Sequence, residues 1–463
     1  MRPINKLPPE ILSSIAREVL HWDHSDTTKL LPLTHVCRRW RESLISIPEN
    51  WALISNENEG IAVICLQRAK AAPLEITIYM PSPTEPFLFP RILEPHVQKT
   101  RTLSVTSIST IEQLMGMFPN FPQSMPTLES LDLTSYELEG DWSIDRFGPF
   151  TPTLRRLSLY GIPLYPSLLR VRTLTQLILS NVESPPSLDT LLDFLEGNQS
   201  LKSANLWFSF AELPRRNPQR RILNQLQHLW IECRRQVDAR ALITSIPLRR
   251  GAHLKIKIPD ESAALSNILP NVSTAHLSNP PSPTFFQFDT HEYNVGILLR
   301  GPGGEFSFCR PPRADESFPD YHLLPLTNVR EFRLVCSGST APDPPTFRPP
   351  LFPSLEALAI IGNDLECNVD VGQVLSSLLL NPTSSPLLKN LAFLNCDLSD
   401  KLMEEITKFS SERKKTLTST WLYRVLIIHR DGKFPSAASI EKMREHVSVV
   451  DVSMKHTLPE DLT

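Results

Sequence analysis

The chain has 463 residues, 41% hydrophobic and 21% charged, with a formal net charge of -3. That length exceeds one small core and points to two or three domains, while the charge balance argues against a general nucleic-acid or membrane-surface binder. The N-terminus, "MRPINKLPPEIL", carries no apolar run suited to a signal peptide, and no stretch approaches the roughly 18–20 continuous apolar residues that span a bilayer.

Seven cysteines, scattered without a C-x-x-C pair, read as free thiols in a reducing compartment, cytosol or nucleus. "NQS" at Asn198 and "NVS" at Asn271 match glycosylation sequons but carry little weight without a secretory signal. The 43 Pro against 15 Gly predict stiff loops between short elements.

The chain opens with helical patterning. After Pro8 and Pro9, a natural helix start, Ile11, Leu12, Ile15, Val19 and Leu20 recur at helical spacing. "DHSDTT" is a turn. A brief helix is expected over Lys29–Leu31, with Pro32 breaking or restarting it. From Thr34 a third helix is expected to place Val36, Trp40 and Leu44 on one stripe, beside Leu33 and Cys37, with Arg38, Arg39, Arg41 and Glu42 facing away. Three such helices bury little surface alone.

"LPPEILSSIAREVL", a turn and "KLLPLTHVCRRWRESL" resemble the F-box, with its LP-x-E start, apolar helix and V-C-R-x-W-R end. "SIPENWALI" resembles the P-x-x-W segment that follows the F-box in a large class of fungal, basidiomycete-type F-box proteins. "IAVICLQRAKAAPLEITIYM" and "RILEPHVQKTRTLSV" resemble the next two units of that class, so the resemblance covers residues 4–108. It departs at Glu49–Asn50, where the family usually has an apolar residue.

The resemblance implies a partner, the Skp-type adaptor of SCF ubiquitin ligases, and through it a cullin scaffold. Carried over by position, the docking residues are Leu7, Pro8, Ile11, Leu12, Ile15, Leu30, Leu33, Val36, Cys37 and Trp40. The alternative is that Trp40 and Val36 pack on the body of this chain.

The remainder repeats L-x-x-L-x-L: "LESLDL" at 128, "LRRLSL" at 154, "LTQLIL" at 174, "LQHLWI" at 226, "LEALAI" at 355 and "LKNLAF" at 388. Looser copies are "TRTLSV" at 100, "LKSANL" at 201, "VSTAHL" at 272 and "VREFRL" at 329. Early copies step by 28, 26, 20, 27 and 25 residues, the leucine-rich-repeat range. "SLDTLLDFLEG" and "SDKLMEEITKF" read as helices between strands. Between about 232 and 330 the pattern blurs. "HLKIKI" and "YNVGILLRG" are candidate strands, and "VGILLRGPGGEFSF" also reads as a hairpin. "RPPRADESFPDY" and "APDPPTFRPPLFP" read as Pro-rich loops.

Strand alternation turns the third, fifth and seventh positions of each copy outward. These are Arg156, Ser158, Tyr160; Gln176, Ile178, Ser180; Ser203, Asn205, Trp207; and His228, Trp230, Glu232. Tyr160, Trp207 and Trp230 are expected in one aromatic row, and Glu212–Arg250 holds nine Arg against three acids. With Arg234 and Arg235, that makes a candidate substrate-binding patch for an acidic or phosphorylated segment. The competing expectation is that the aromatics are covered and the Arg residues merely solvated.

Catalytic motifs are absent: no G-x-S-x-G, H-E-x-x-H, G-x-x-x-x-G-K-[ST] or G-x-G-x-x-G occurs. "GPGG" at 301 is better read as a turn. "HWDHSD" lacks helical His spacing for a metal, and the cysteines lack a nearby base. The C-terminus reads as a last helix and strand, then a tail.

The expected fold class is α/β: an N-terminal three-helix F-box (1–51), a linker helix and strand (52–99), and an irregular leucine-rich-repeat-like solenoid (100–463) with Pro-rich insertions and a C-terminal cap. The expected function is non-catalytic: substrate recognition in an SCF-type E3 ubiquitin ligase, without cofactor or metal and without nucleic-acid or membrane partners. The alternative is a non-ligase F-box and repeat scaffold.

Overall fold

The computed structural model describes residues 7–21, 30–80, 89–108, 111–118, 121–136, 152–164, 168–182, 185–208, 210, 223–246, 248, 252–259, 268, 285–291, 294–301, 304–310, 326–336, 352–362, 385–394, 396, 400–416, 422–428 and 435–453. The chain divides into two compact units, Met1–Pro214 with Leu223–Gln225, and Arg215–Ile222 with Leu226–Thr463. The division thus falls inside the repeat region, and the N-terminal helices share a unit with the first strands.

The first unit opens with α1 (Pro9–His21), α2 (Leu30–Thr34) and α3 (Arg38–Ser46). Pro9 takes the first helical position, where its missing N–H costs nothing, and the carbonyl of Pro8 accepts from Leu12 at 3.2 Å. Pro32 does not break α2, because the first turn of a helix needs no internal donors. Nor does α3 begin at Thr34. Cys37 is its extended N-cap, so Val36 and Cys37 sit in the preceding turn, off the expected stripe. Leu12, Ala16, Leu30, Trp40 and Leu44 are buried together in this unit.

A 3-10 turn, Pro48–Trp51, leads into β1 (Leu53–Ser55), α4 (Glu59–Ala69), β2 (Leu74–Tyr79), α5 (Phe89–Leu93), β3 (Thr100–Thr106), α6 (Ile111–Met117), β4 (Ser130–Thr134), β5 (Arg156–Tyr160), β6 (Gln176–Ser180), α7 (Leu188–Gly197) and β7 (Ser203–Trp207). Neighbours from β1 to β7 all pair in parallel, in chain order. The two apolar positions of each copy, such as Leu131 and Leu133 or Leu157 and Leu159, are buried on one face.

Two further features repeat with the strands. Before β4, β5 and β6, a threonine hydroxyl donates to the chain of the preceding copy: Thr127 to the Thr100 carbonyl (3.0 Å), Thr153 to Leu128 (2.9 Å) and Thr173 to Leu154 (2.6 Å). After the strands, Ser107, Gly161 and Asn181 take left-handed φ values of 63°, 68° and 52°. Only at Gly161 is a side chain also barred by space, since a Cβ there would lie 2.1 Å from the Ser135 carbonyl oxygen. Gly161→Ala is therefore expected to cost about 2–3 kcal/mol, read as a lower urea midpoint for the first unit. An unchanged midpoint would mean that the turn moves freely.

The second unit holds β8 (His228–Glu232), α8 (Gln236–Ser245), β9 (His253–Lys257), β10 (Phe285–His291), β11 (Asn294–Gly301), β12 (Gly304–Arg310), β13 (Glu331–Cys336), β14 (Ala357–Gly362), β15 (Asn390–Leu394), α9 (Asp400–Thr416), β16 (Arg424–Ile428), α10 (Ala437–Arg444) and β17 (Val449–Ser453). Strand β9 pairs in parallel with β12, not β10. Strand β11 runs antiparallel to both β12 and β10, and β10 pairs in parallel with β13. The blurred stretch of sequence is thus an antiparallel insert that leaves the ladder unbroken. "YNVGILLRG" supplies its middle strand, and Gly301 opposite Gly304 closes the hairpin, as "GPGG" suggests.

From β13 to β17 the ladder is parallel again. There Ala359, Ala392, Leu394, Leu426 and Ile428 form a buried cluster on the face opposite Leu358, Leu391 and Val425, which are buried too. Strands buried on both faces read as continuous apolar runs. On α9, buried Arg413 donates to the carbonyls of Ser385 (3.1 Å), Pro386 (3.4 Å) and Leu388 (3.2 Å), and burial pushes its guanidinium down to about 10.

Every L-x-x-L-x-L-like segment among the described residues ends in a strand. "VSTAHL" and residues 311–321 and 341–351 of the Pro-rich loops lie outside them. Among the described residues no helix is long and apolar enough to cross a membrane.

Candidate functional site

The ten residues assigned to adaptor docking separate by exposure. Leu12, Leu30 and Trp40 lie in the interior, Trp40 at 3% exposure, so the tryptophan grips its own helices and is not an exposed anchor. Ile11 (46%) and Val36 (53%) are exposed, as is Pro8, while Leu7, Ile15, Leu33 and Cys37 are half-buried. Arg39 donates to the Leu7 carbonyl at 2.9 Å and so ties α3 to the start of α1. Among the described residues the buried indole N–H of Trp40 has no hydrogen-bond partner. Trp40→Phe is therefore expected to stay within about 1 kcal/mol of the parent protein by urea unfolding, because the lost N–H was already unsatisfied.

The stretch at Glu49–Asn50, where the chain departs from the family it resembles, is where these helices are fastened. Asn50 is fully buried, accepts from the Ser13 hydroxyl of α1 at 2.9 Å, and donates to the Leu44 carbonyl of α3 at 3.4 Å. The Trp51 indole donates to the same Leu44 carbonyl at 2.9 Å, and the Arg68 guanidinium of α4 lies 4.2 Å from its ring centroid. A buried amide is tolerated because its polar atoms are paired. The available signal was Ser13, a polar residue beside Leu12 and Ala16 on the inner side of α1.

On the first unit's sheet the outward positions fall as alternation predicts. Tyr160 and Trp207 face outward with ring centroids 6.2 Å apart, nearly edge to face, across Ser180 of the strand between them. Ser158 and Ser180 are small enough to be buried by their neighbours even on this side. Tyr136, 67% exposed, adds a third ring 5.7 Å from Tyr160. It lies just past the end of β4, outside the repeat template, and so escapes a reading by repeat position. Trp230 belongs to the second unit, and within the first unit the adjacent rings are Tyr136, Tyr160 and Trp207.

Trp230 has its own setting. The Lys255 ammonium lies 4.0 Å from its ring centroid, and His228 and His253 are paired across the strands at 4.8 Å. Lys257 pairs with the buried Glu232 at 2.9 Å. Arg234 and Arg235 are past the end of the strand. Arg235 closes its fork on the fully buried Asp238 with contacts of 3.0 and 2.9 Å, which fixes the first turn of α8. The basic groups facing outward beside Trp230 are thus Lys255 and Lys257.

In the first unit Asp132 stands outward on β4. Burial pushes its carboxyl up, against the pull of Arg156 and of hydrogen bonds from Ser158 and Thr134. Burial also raises the Cys233 thiol, which keeps it protonated and inert. Cys37, Cys65, Cys233, Cys309 and Cys396 are free thiols. Among the described residues no group of three or more His, Cys, Asp or Glu is gathered for a metal. Residues 22–26 of "HWDHSD" and the Asn271 sequon lie outside the described residues. Asn198 is a buried latch rather than a glycan acceptor: it donates to Val171 (3.0 Å) and Phe194 (2.9 Å) and accepts from the Leu174 N–H (3.0 Å).

Comparison of the chain with known protein families and with curated proteins finds no match.

Proposed function

We propose that this chain is the substrate-recognition subunit of an SCF-type ubiquitin ligase. In this reading α1–α3 form an F-box that docks on a Skp-type adaptor and, through it, a cullin scaffold. The strand units stack as a leucine-rich-repeat-like solenoid that holds the protein to be modified. The single observation that carries the docking role is the exposure of Ile11 and Val36 on a helical segment whose core, Leu12, Leu30 and Trp40, is already closed. Such a segment has apolar side chains left over for a partner, as the sequence resemblance implies.

The repeat role is supported by parallel strands that recur with the same threonine bond before three of them and left-handed turns after several of them. Catalysis then comes from proximity: the chain raises the effective concentration of a substrate lysine beside ubiquitin carried by a separate enzyme. The test is capture of purified Skp-type adaptor and cullin by the intact chain. Capture is expected, and it is expected to fail when Ile11 and Val36 are made acidic. No capture by the unaltered, folded chain removes the reading.

A further inference from the structure

Among the described residues, Asp132 is the single carboxylate and Arg156 the single cation at the outward positions of β4–β7. Arg156 stands at the first residue of β5, whereas the aromatic row stands at the strand ends. Tyr160 is opposite Thr134 in register, and Thr134 is two residues from Asp132 on β4. Asp132 is thus opposite Ser158, one outward position before the register of Tyr160, on the same face as the Tyr136–Tyr160 pair, with Trp207 farther along the row beyond Ser180.

A carboxylate accepts at about four lone-pair positions. The hydroxyls of Ser158 and Thr134 use part of that capacity, and Arg156 acts on Asp132 without offsetting its desolvation. A partly desolvated anion beside aromatic faces is matched by a planar cation. Guanidinium stacks on rings and donates in a fork to carboxylates, which a compact ammonium does not. The sign of this charge is opposite to that of the Lys255 and Lys257 face in the second unit.

We propose that the β4–β7 edge binds an arginine side chain of a protein substrate. The guanidinium stacks on Tyr160 and Tyr136 and donates to Asp132, while Trp207, 37% exposed, takes an apolar residue next to the arginine. This assignment rests on the substrate-receptor reading for its biological meaning, but not for its chemistry.

The test titrates the intact protein at low salt with three capped peptides of sequence Gly-Leu-X-Leu-Gly, where X is arginine, its neutral isostere citrulline, or glutamate. The arginine peptide is expected to bind about fivefold or more tightly than the citrulline peptide, and the glutamate peptide most weakly. Asp132→Asn is expected to erase the preference for arginine. Tyr160→Ala and Trp207→Ala weaken binding by a similar factor, and Tyr160→Phe retains it. Equal binding of the arginine and citrulline peptides overturns the proposal. So does a loss with Asp132→Asn alone while Tyr160→Ala and Trp207→Ala bind normally, because that pattern is diffuse charge attraction. Adaptor capture run on the same samples separates the two readings. Capture without arginine preference removes only the arginine site, and arginine preference without capture removes only the ligase role.

Discussion

Replacing Trp51 by alanine is expected to loosen the N-terminal helices from the first unit, at a cost of about 3–5 kcal/mol, the range for truncating a large buried aromatic. The reason is the number of elements this one ring joins. It follows α3 by a single 3-10 turn, its indole N–H is fixed on the Leu44 carbonyl of α3, and its face is covered by Arg68 of α4. Truncation leaves a cavity where three elements meet and deprives Leu44 of its better donor, since the Asn50 amide lies at 3.4 Å against 2.9 Å for the indole. Trp51→Phe keeps most of the volume and loses only the hydrogen bond, about 1 kcal/mol. Because the chain has two units, a single unfolding midpoint is not sufficient. Amide hydrogen exchange along α1 and α3 is the direct readout, with protection strongly reduced in the alanine variant and nearly retained in the phenylalanine variant. Equal protection in both would show that the ring is not the fastening point.

Much of the sheet was legible because its signal is local. Each L-x-x-L-x-L copy announces its own strand and face, and Leu131, Leu157 and Leu177 are buried as alternation requires. Strand β16 went unread because "LYRVLI" places Val425 and Ile427 where the template wants leucine. Strand β10 went unread for another reason. "FFQFDTH" belongs to an antiparallel insert whose strand order is set by partners distant in sequence, not by a repeat. The threonine of the copies at 128, 154 and 174 was present as "PTL", "PTL" and "RTL" at 126, 152 and 172, and a search confined to apolar periodicity passes over it.

Site residues were less legible than strands because orientation around a helix depends on where the helix starts. With α3 beginning at Arg38, Val36 leaves the stripe that it was expected to share with Trp40 and Leu44, and only those two are buried. Charge was less legible still. Arg235 looks like a ligand group in a basic stretch, but the buried Asp238 three residues on claims its fork.

Changing Ile11 and Val36 together to aspartate is expected to lower capture of the Skp-type adaptor by at least about 100-fold, near 2.7 kcal/mol, while leaving the fold intact. The two halves of that expectation have one source. Both side chains are about half exposed, so their apolar surface contributes little to the core, and charge placed there stays hydrated in the free protein. In a complex the same carboxylates are buried without a partner, and that desolvation is not repaid. Trp40→Phe provides the opposite control. Trp40 is the most prominent residue of the motif, yet its ring is inside and its N–H has no partner among the described residues, so the phenylalanine variant is expected to capture adaptor like the parent. If the double aspartate variant also captures normally while circular dichroism and hydrogen exchange report a native fold, docking does not use the exposed face of α1 and the α2–α3 turn. If instead Trp40→Phe alone abolishes capture, the interior ring must turn outward on binding, and the helices rearrange rather than dock as they stand.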